Sequence, residues 1–218
     1  MFDISKVSLV DWMGDDKRAC HAARTSFMMD GTDSVIEPRD ERLIKFLMRE
    51  KHTSPFEHSV ITLCIEAPLP VVAQIMRHRT FSYNQASRRY TSEDIQFIDV
   101  AEWRGQAEKN LQCSEGVVED SNVVDEIYKA HCMKSLALYE VLLEKGVSRE
   151  QARFVLPQGL MARFWMTGNL HNFLKFLVLR DDEHAQRECR DVAVEIRKIL
   201  EDLFPLTMQM FTEGRSSK

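Results

Sequence analysis

Six consecutive residues, Val60-Ile61-Thr62-Leu63-Cys64-Ile65, are apolar or β-branched, and Pro68 bounds the run. That composition reads as a strand. Val7 to Trp12 and Leu160 to Met166 read as two more. Much of the remaining chain follows a helical period. Leu43, Ile44, Phe46 and Leu47 make one face of a helix over Arg39–Arg49, and Val123–Leu143 is a long amphipathic helix ending near Gly146. Asn169 caps a very apolar helix that continues through Leu179, and Glu183–Phe204 reads as the last long helix. A few strands among long helices predict an α+β fold, with a small central β-sheet flanked by helices, in a single domain over residues 1–218.

Weaker signals fill the gaps. Gly14-Asp15-Asp16 offers a cap for a helix over Lys17–Phe27, and Met28–Pro38 reads as a loop. Ser54-Pro55 breaks the chain, and Pro70 suits the first turn of a helix through Met76. Ser148 with Gln151 resembles a capping box. Residues 99–121 carry charges with little periodicity and read as a surface insertion, and residues 214–218 read as a frayed tail.

Composition narrows the class. Of 218 residues, 44% are hydrophobic and 29% charged with mixed sign, which suits one globular domain and excludes a disordered chain. The opening residues lack a signal-peptide layout, and no apolar stretch approaches the ~18 residues of a membrane helix. A cytoplasmic protein with no membrane partner is expected. The five cysteines are scattered and form no C-x-x-C pair, so neither a disulfide framework nor a metal site is expected. Cys64, within the strand run, reads as a small core residue.

The segment RHRTFSYNQASRRY, Arg77 to Tyr90, departs from that background. It holds Arg77, Arg79, Arg88 and Arg89, and no Asp or Glu lies between Glu66 and Glu93, although the formal net charge is −5. Guanidinium forks match phosphate and carboxylate oxygens two at a time. Uncompensated donors among Ser82, Asn84, Ser87 and Tyr90 point to an anionic ligand. The ordinary alternative is a solvated loop paired with carboxylates from elsewhere. A nucleic-acid patch is disfavoured by the acidic balance, because backbone binding needs a larger basic face.

Seven residues of this segment follow R-H-R-x-x-S-x-N-x-x-S-x-R, thirteen positions from Arg77 to Arg89. This resembles the signature of the flavin-dependent thymidylate synthases. "ARTSF" at Ser26, "HTSPFEH" at His52–His58, "EQARFVLP" around Arg153 and "NLHNFLKFLVLRDDEHAQRE" from Asn169 are also similar to family segments, in the family's order. The resemblance covers about Val7 to Leu203 and is weakest over residues 99–121 and the tail.

The resemblance implies that family's fold and the reductive methylation of dUMP to dTMP. Methylenetetrahydrofolate would supply the carbon and NADPH the reducing equivalents through FAD, in a homotetramer with shared active sites. By resemblance, Ser26, Ser54, Arg77, His78, Arg79, Asn169 and His171 contact FAD. Gln74, Arg77 and Arg153 match nucleotide contacts, and Gln85, Ser87 and Arg89 match a loop that closes on the nucleotide from a neighbouring subunit. Arg180 matches the arginine that binds the uracil edge and activates it, so no cysteine nucleophile is needed. Taken alone, Arg180 would read as a helix-terminal salt bridge to Asp181 or Asp182. Two positions depart from the family's habit. Gln85 stands where many members carry Glu, and Lys175 stands where Asn or His is frequent near the flavin. A flavin- or nucleotide-binding homologue without synthase activity is therefore the main alternative.

Overall fold

The computed structural model describes residues 1–29, 31, 33–110 and 113–216. In chain order the strands and helices are β1 (Phe2–Asp3), β2 (Lys6–Met13), α1 (Asp16–Arg24), α2 (Pro38–Arg49), β3 (Val60–Pro68), α3 (Leu69–Ile75), β4 (Ser82–Gln85), β5 (Phe97–Ile98), β6 (Arg104–Gln106), β7 (Ser114–Val117), α4 (Ser121–Glu144), α5 (Arg149–Ala152), β8 (Met161–Asn169), α6 (Leu170–Arg180), α7 (Arg187–Leu203) and α8 (Pro205–Ser216).

Side chains along β3 alternate between two faces, as the two-residue period of a strand requires. Ile61, Leu63 and Ile65 are fully buried, whereas Val60, Thr62 and Cys64 are half-exposed. Cys64 is therefore not the core residue that its apolar surroundings suggest; it lies on the opposite face from Leu63 and Ile65. β3 pairs antiparallel with β2 and β8, and β4 pairs antiparallel with β8, giving the order β2-β3-β8-β4. The inner face meets Phe173, Phe176 and Leu177 of α6 and Val192, Ile196 and Leu200 of α7 in one core. The outer face is mostly polar. Thr62 and Thr167 join hydroxyls at 3.0 Å, and Arg163 pairs with Glu66 at 2.9 Å.

β4 corrects the expectation that the arginine segment is loop throughout. Its ladder bonds use backbone groups alone, so an edge strand needs little apolar sequence. Tyr83 turns inward, and its hydroxyl donates to the carbonyls of Ile75 at 2.9 Å and His78 at 3.1 Å. Gly168 on β8 admits the ring of Phe81, because a Cβ there would lie 2.4 Å from that ring. Phe81 in turn stacks edge-on against Phe173 at 4.8 Å.

The C-terminal region also differs from expectation. The last helix is α8, and α7 begins at Arg187, not Glu183. The break falls at Phe204, since the residue before a proline is pushed out of helical backbone. Asp16 then receives the Leu206 and Thr207 amides at 2.8 and 3.0 Å and the Thr207 hydroxyl at 2.6 Å. These contacts satisfy donors that a helix start leaves open. Gly214 to Ser216 are helical, not frayed, and residues 217 and 218 lie outside the described residues.

Ser148 makes no side-chain cap bond. The capping box that forms is Glu37 with Asp40 at α2. Asn169 does cap α6, accepting from the Asn172 amide at 2.9 Å. Residues 99–121 contain the β6–β7 hairpin, fastened to α7 by an Arg104–Glu188 ion pair at 2.5 Å.

Candidate active site

α6 organises the site from both ends. Asn169 stands at its N-terminus, His171 and Lys175 lie along it one turn apart, and Arg180 closes it. The Arg77–Phe81 turn after α3 docks onto this helix: Asn172 Nδ2 donates to the Thr80 carbonyl at 3.2 Å, and His78 stacks edge-on against Phe176 at 4.8 Å. Arg180 then reaches back to the turn. Its Nε donates to His78 Nε2 at 3.0 Å and its Nη2 to the Gln74 carbonyl at 3.1 Å.

That pairing assigns states. His78 Nε2 accepts, so the ring is neutral and carries its proton on Nδ1. Burial, and then the Arg180 charge, hold His78 below the usual histidine range, which agrees. Arg180 makes no ion pair with either neighbouring aspartate. Asp181 instead faces Arg197 at 3.1 Å and Arg215 at 3.6 Å, and Asp182 receives the His184 amide at 2.9 Å. The salt-bridge alternative for Arg180 fails on this geometry. A guanidinium with two fixed anchors and, among the described residues, no carboxylate partner keeps its remaining donors for a ligand.

The arginine segment splits in function. Arg88 is withdrawn, donating to the carbonyls of Glu93 and, at 2.8 Å, Asp94, so it organises the loop. Arg77 and Arg79 are exposed, and among the described residues neither has a carboxylate partner. Among the described residues the Arg89 guanidinium meets Tyr90, through its hydroxyl at 3.3 Å and its ring face at 5.3 Å, while its amide donates to Ser87 Oγ at 3.3 Å. Among the described residues, then, no carboxylate neutralises these three. Exposed guanidiniums beside the N-terminal turn of a helix fit the pyrophosphate of a dinucleotide. His171 lies below its ordinary range through burial and then the Lys175 charge, against a smaller opposing pull from Glu57.

The expected residues fall into two groups. Gln74, Arg77, His78, Arg79, Asn169, His171, Lys175 and Arg180 gather around α6. Gln85, Ser87 and Arg153 line a separate cleft of about 740 Å³ with Phe154 and Arg163. Ser54 opens the short helical turn Ser54–His58, and Ser26 sits exposed in the turn Thr25–Phe27. Neither serine makes a side-chain bond to the other site residues. One neighbour was not foreseen: the Gln74 amide donates to the Gln186 side chain. Its only sequence signal is that Gln186 lies within the matching segment ending RDDEHAQRE.

Comparison with known proteins gives a consistent assignment. The family model described as "Thymidylate synthase complementing protein" matches residues 8–206. A flavin-dependent thymidylate synthase of Thermotoga neapolitana is 43% identical over 97% of this chain and 92% of its own length. One from Thermus thermophilus is 41% identical over 98% of this chain and 77% of its own. The solved structure of the UMP/dUMP methylase PolB from Streptomyces cacaoi, bound with 5-Br dUMP, superimposes with a TM-score of 0.88 at 31% identity, covering 97% of this chain and 96% of that one. With a family match across most of its length, an acid-free arginine turn and a carboxylate-free Arg180, the chain belongs to the flavin-dependent thymidylate synthase family.

Proposed function

We propose that this enzyme methylates dUMP to dTMP, with methylenetetrahydrofolate as carbon donor and NADPH as reductant through FAD. The observation that carries the reading is Arg180, held by His78 and Gln74 and, among the described residues, without a carboxylate partner. Loss of the N3 proton leaves negative charge over N3 and O4 and makes C5 the nucleophile. A fixed guanidinium stabilises that charge without accepting a proton, so Arg180 acts as an electrostatic activator and not as a base. Neutral His78 orients it.

Bound FAD would supply the hydride chemistry. Arg77 and Arg79 would hold its phosphates. Asn169 already spends its side-chain oxygen on the helix cap, so its Nδ2 is what remains for the flavin. Ser26, Ser54, His171 and Lys175 complete the flavin-facing set, with Gln85 contacting it from the loop. Lys175 adds a cation there, and Gln85 keeps an acceptor without a charge. Gln74 and Arg77 face the nucleotide within the chain. Gln85, Ser87, Arg89 and Arg153 would reach the phosphate of a nucleotide held by a neighbouring chain, which makes the working unit a homotetramer with shared sites. The proposal treats residues 1–218 as one catalytic unit and extends to a cytoplasmic enzyme with water-soluble ligands.

The test is anaerobic incubation of purified protein with FAD, NADPH, methylenetetrahydrofolate and dUMP, with dTMP quantified by chromatography. Product should require every component, and protein that binds FAD and dUMP but makes no dTMP would favour the inactive homologue. UMP in place of dUMP gives a further arm, since the Streptomyces protein is a UMP/dUMP methylase and its structure with 5-Br UMP aligns at a TM-score of 0.85.

A further inference from the structure

Gln74 is one end of a chain of polar side chains that starts in the β6–β7 hairpin. Arg104 donates to Ser114 at 2.8 Å within the hairpin and to Glu188 Oε1 at 2.5 Å on α7. The other oxygen, Glu188 Oε2, receives Gln186 Nε2 at 2.9 Å, and Gln186 Oε1 receives Gln74 Nε2. Burial pushes the Glu188 carboxyl up, but the bonds from Arg104 and Gln186 outweigh it and keep the group below its ordinary range.

An amide can normally turn either way, since its oxygen and nitrogen ends are alike in shape. Here the terminal carboxylate removes the choice. An ionised Glu188 only accepts, so Gln186 must offer its NH₂. Its oxygen is then left to face Gln74, which must offer NH₂ in turn. Gln74 Oε1 is the end left over, and among the described residues no group donates to it.

We propose that Glu188 and Gln186 are positioning residues which lock Gln74 with its carbonyl oxygen toward the nucleotide, so that the site selects a hydrogen-bond donor at that point. The donor is the sugar 3′-hydroxyl, since the uracil N3 edge is taken by Arg180. The β6–β7 pair serves this relay by holding Glu188 through Arg104. The inference rests on the reading of Gln74 as a nucleotide contact.

The test measures dissociation constants by calorimetry on FAD-loaded protein with three nucleotides: dUMP, 2′,3′-dideoxyuridylate and N3-methyl-dUMP. For the parent, 2′,3′-dideoxyuridylate should bind about tenfold more weakly than dUMP, as expected for one lost hydrogen bond; N3-methyl-dUMP reports on the Arg180 contact and not on the relay. In Glu188→Gln both amides can turn, and that ratio should fall below about threefold. Gln186→Ala, whose parent side chain makes no cap bond to α7, should lower it likewise. A merely structural defect would weaken all three nucleotides together and leave the ratio intact, which would overturn the relay. A parent that binds 2′,3′-dideoxyuridylate as tightly as dUMP would overturn it too. A parent that fails to bind dUMP would sink the function itself and the relay with it.

Discussion

Cys20 and Cys189 are fully buried, and burial pushes their thiols up to about 12 and about 11. Neither can be a thiolate near neutral pH. Cys132 is buried and raised in the same way. That leaves Cys64 on the outer sheet face and Cys113, whose thiol points at the His184 carbonyl at 3.5 Å. The double variant Cys64→Ser, Cys113→Ser should keep dTMP formation within about twofold of the parent, as for substitutions outside the machinery. A collapse of turnover with FAD still bound would restore a thiol mechanism. At this scale the sequence shows which residues assemble but not their states. The spacing from Arg77 to Arg89 marks a ligand site. It does not show that Arg88 faces inward, or that Arg180 meets His78, because that contact spans 102 residues.

Between elements, the feature hardest to read from sequence is the ion cluster joining α1 to α2. Asp40 is fully buried and meets Lys17 at 2.8 Å and Arg24 at 2.5 Å. Burial alone would raise its carboxyl, yet Lys17, the Glu37 amide and Arg24 hold it well below the usual range. Asp40→Ala leaves Lys17 and Arg24 without this shared partner and also removes the α2 capping box. The loss should be roughly 3–5 kcal/mol, as when one member of a buried pair is deleted. Thermal unfolding checks this, and an unchanged melting temperature would refute it. Strands and helices with strong periodicity, such as β3 and α6, are legible locally. β4 is not, because its pairing depends on β8 and not on apolar alternation. α8 is hidden because the last long helix reads as ending at Phe204, and the short stretch from Pro205 carries little helical period of its own.

For the whole molecule, several large apolar side chains remain uncovered in the single chain, among them Phe27 at 78%, Phe154 at 78% and Leu179 at 61% exposure. With the Gln85–Ser87–Arg153 cleft standing apart from the α6 site, this favours assembly. Light scattering with FAD present should give about four times the 25.4 kDa chain mass. An active monomer would rule out shared sites. The most direct measurement is stopped-flow flavin reduction beside dTMP formation in Arg180→Ala. NADPH should reduce the flavin at the parent rate, because that half-reaction needs no activated uracil. Formation of dTMP should fall on the order of 10²–10³-fold, the usual cost of losing one such electrostatic contact, and Arg180→Lys should recover only part of it. If Arg180→Ala made dTMP at the parent rate, uracil activation by this arginine would be contradicted.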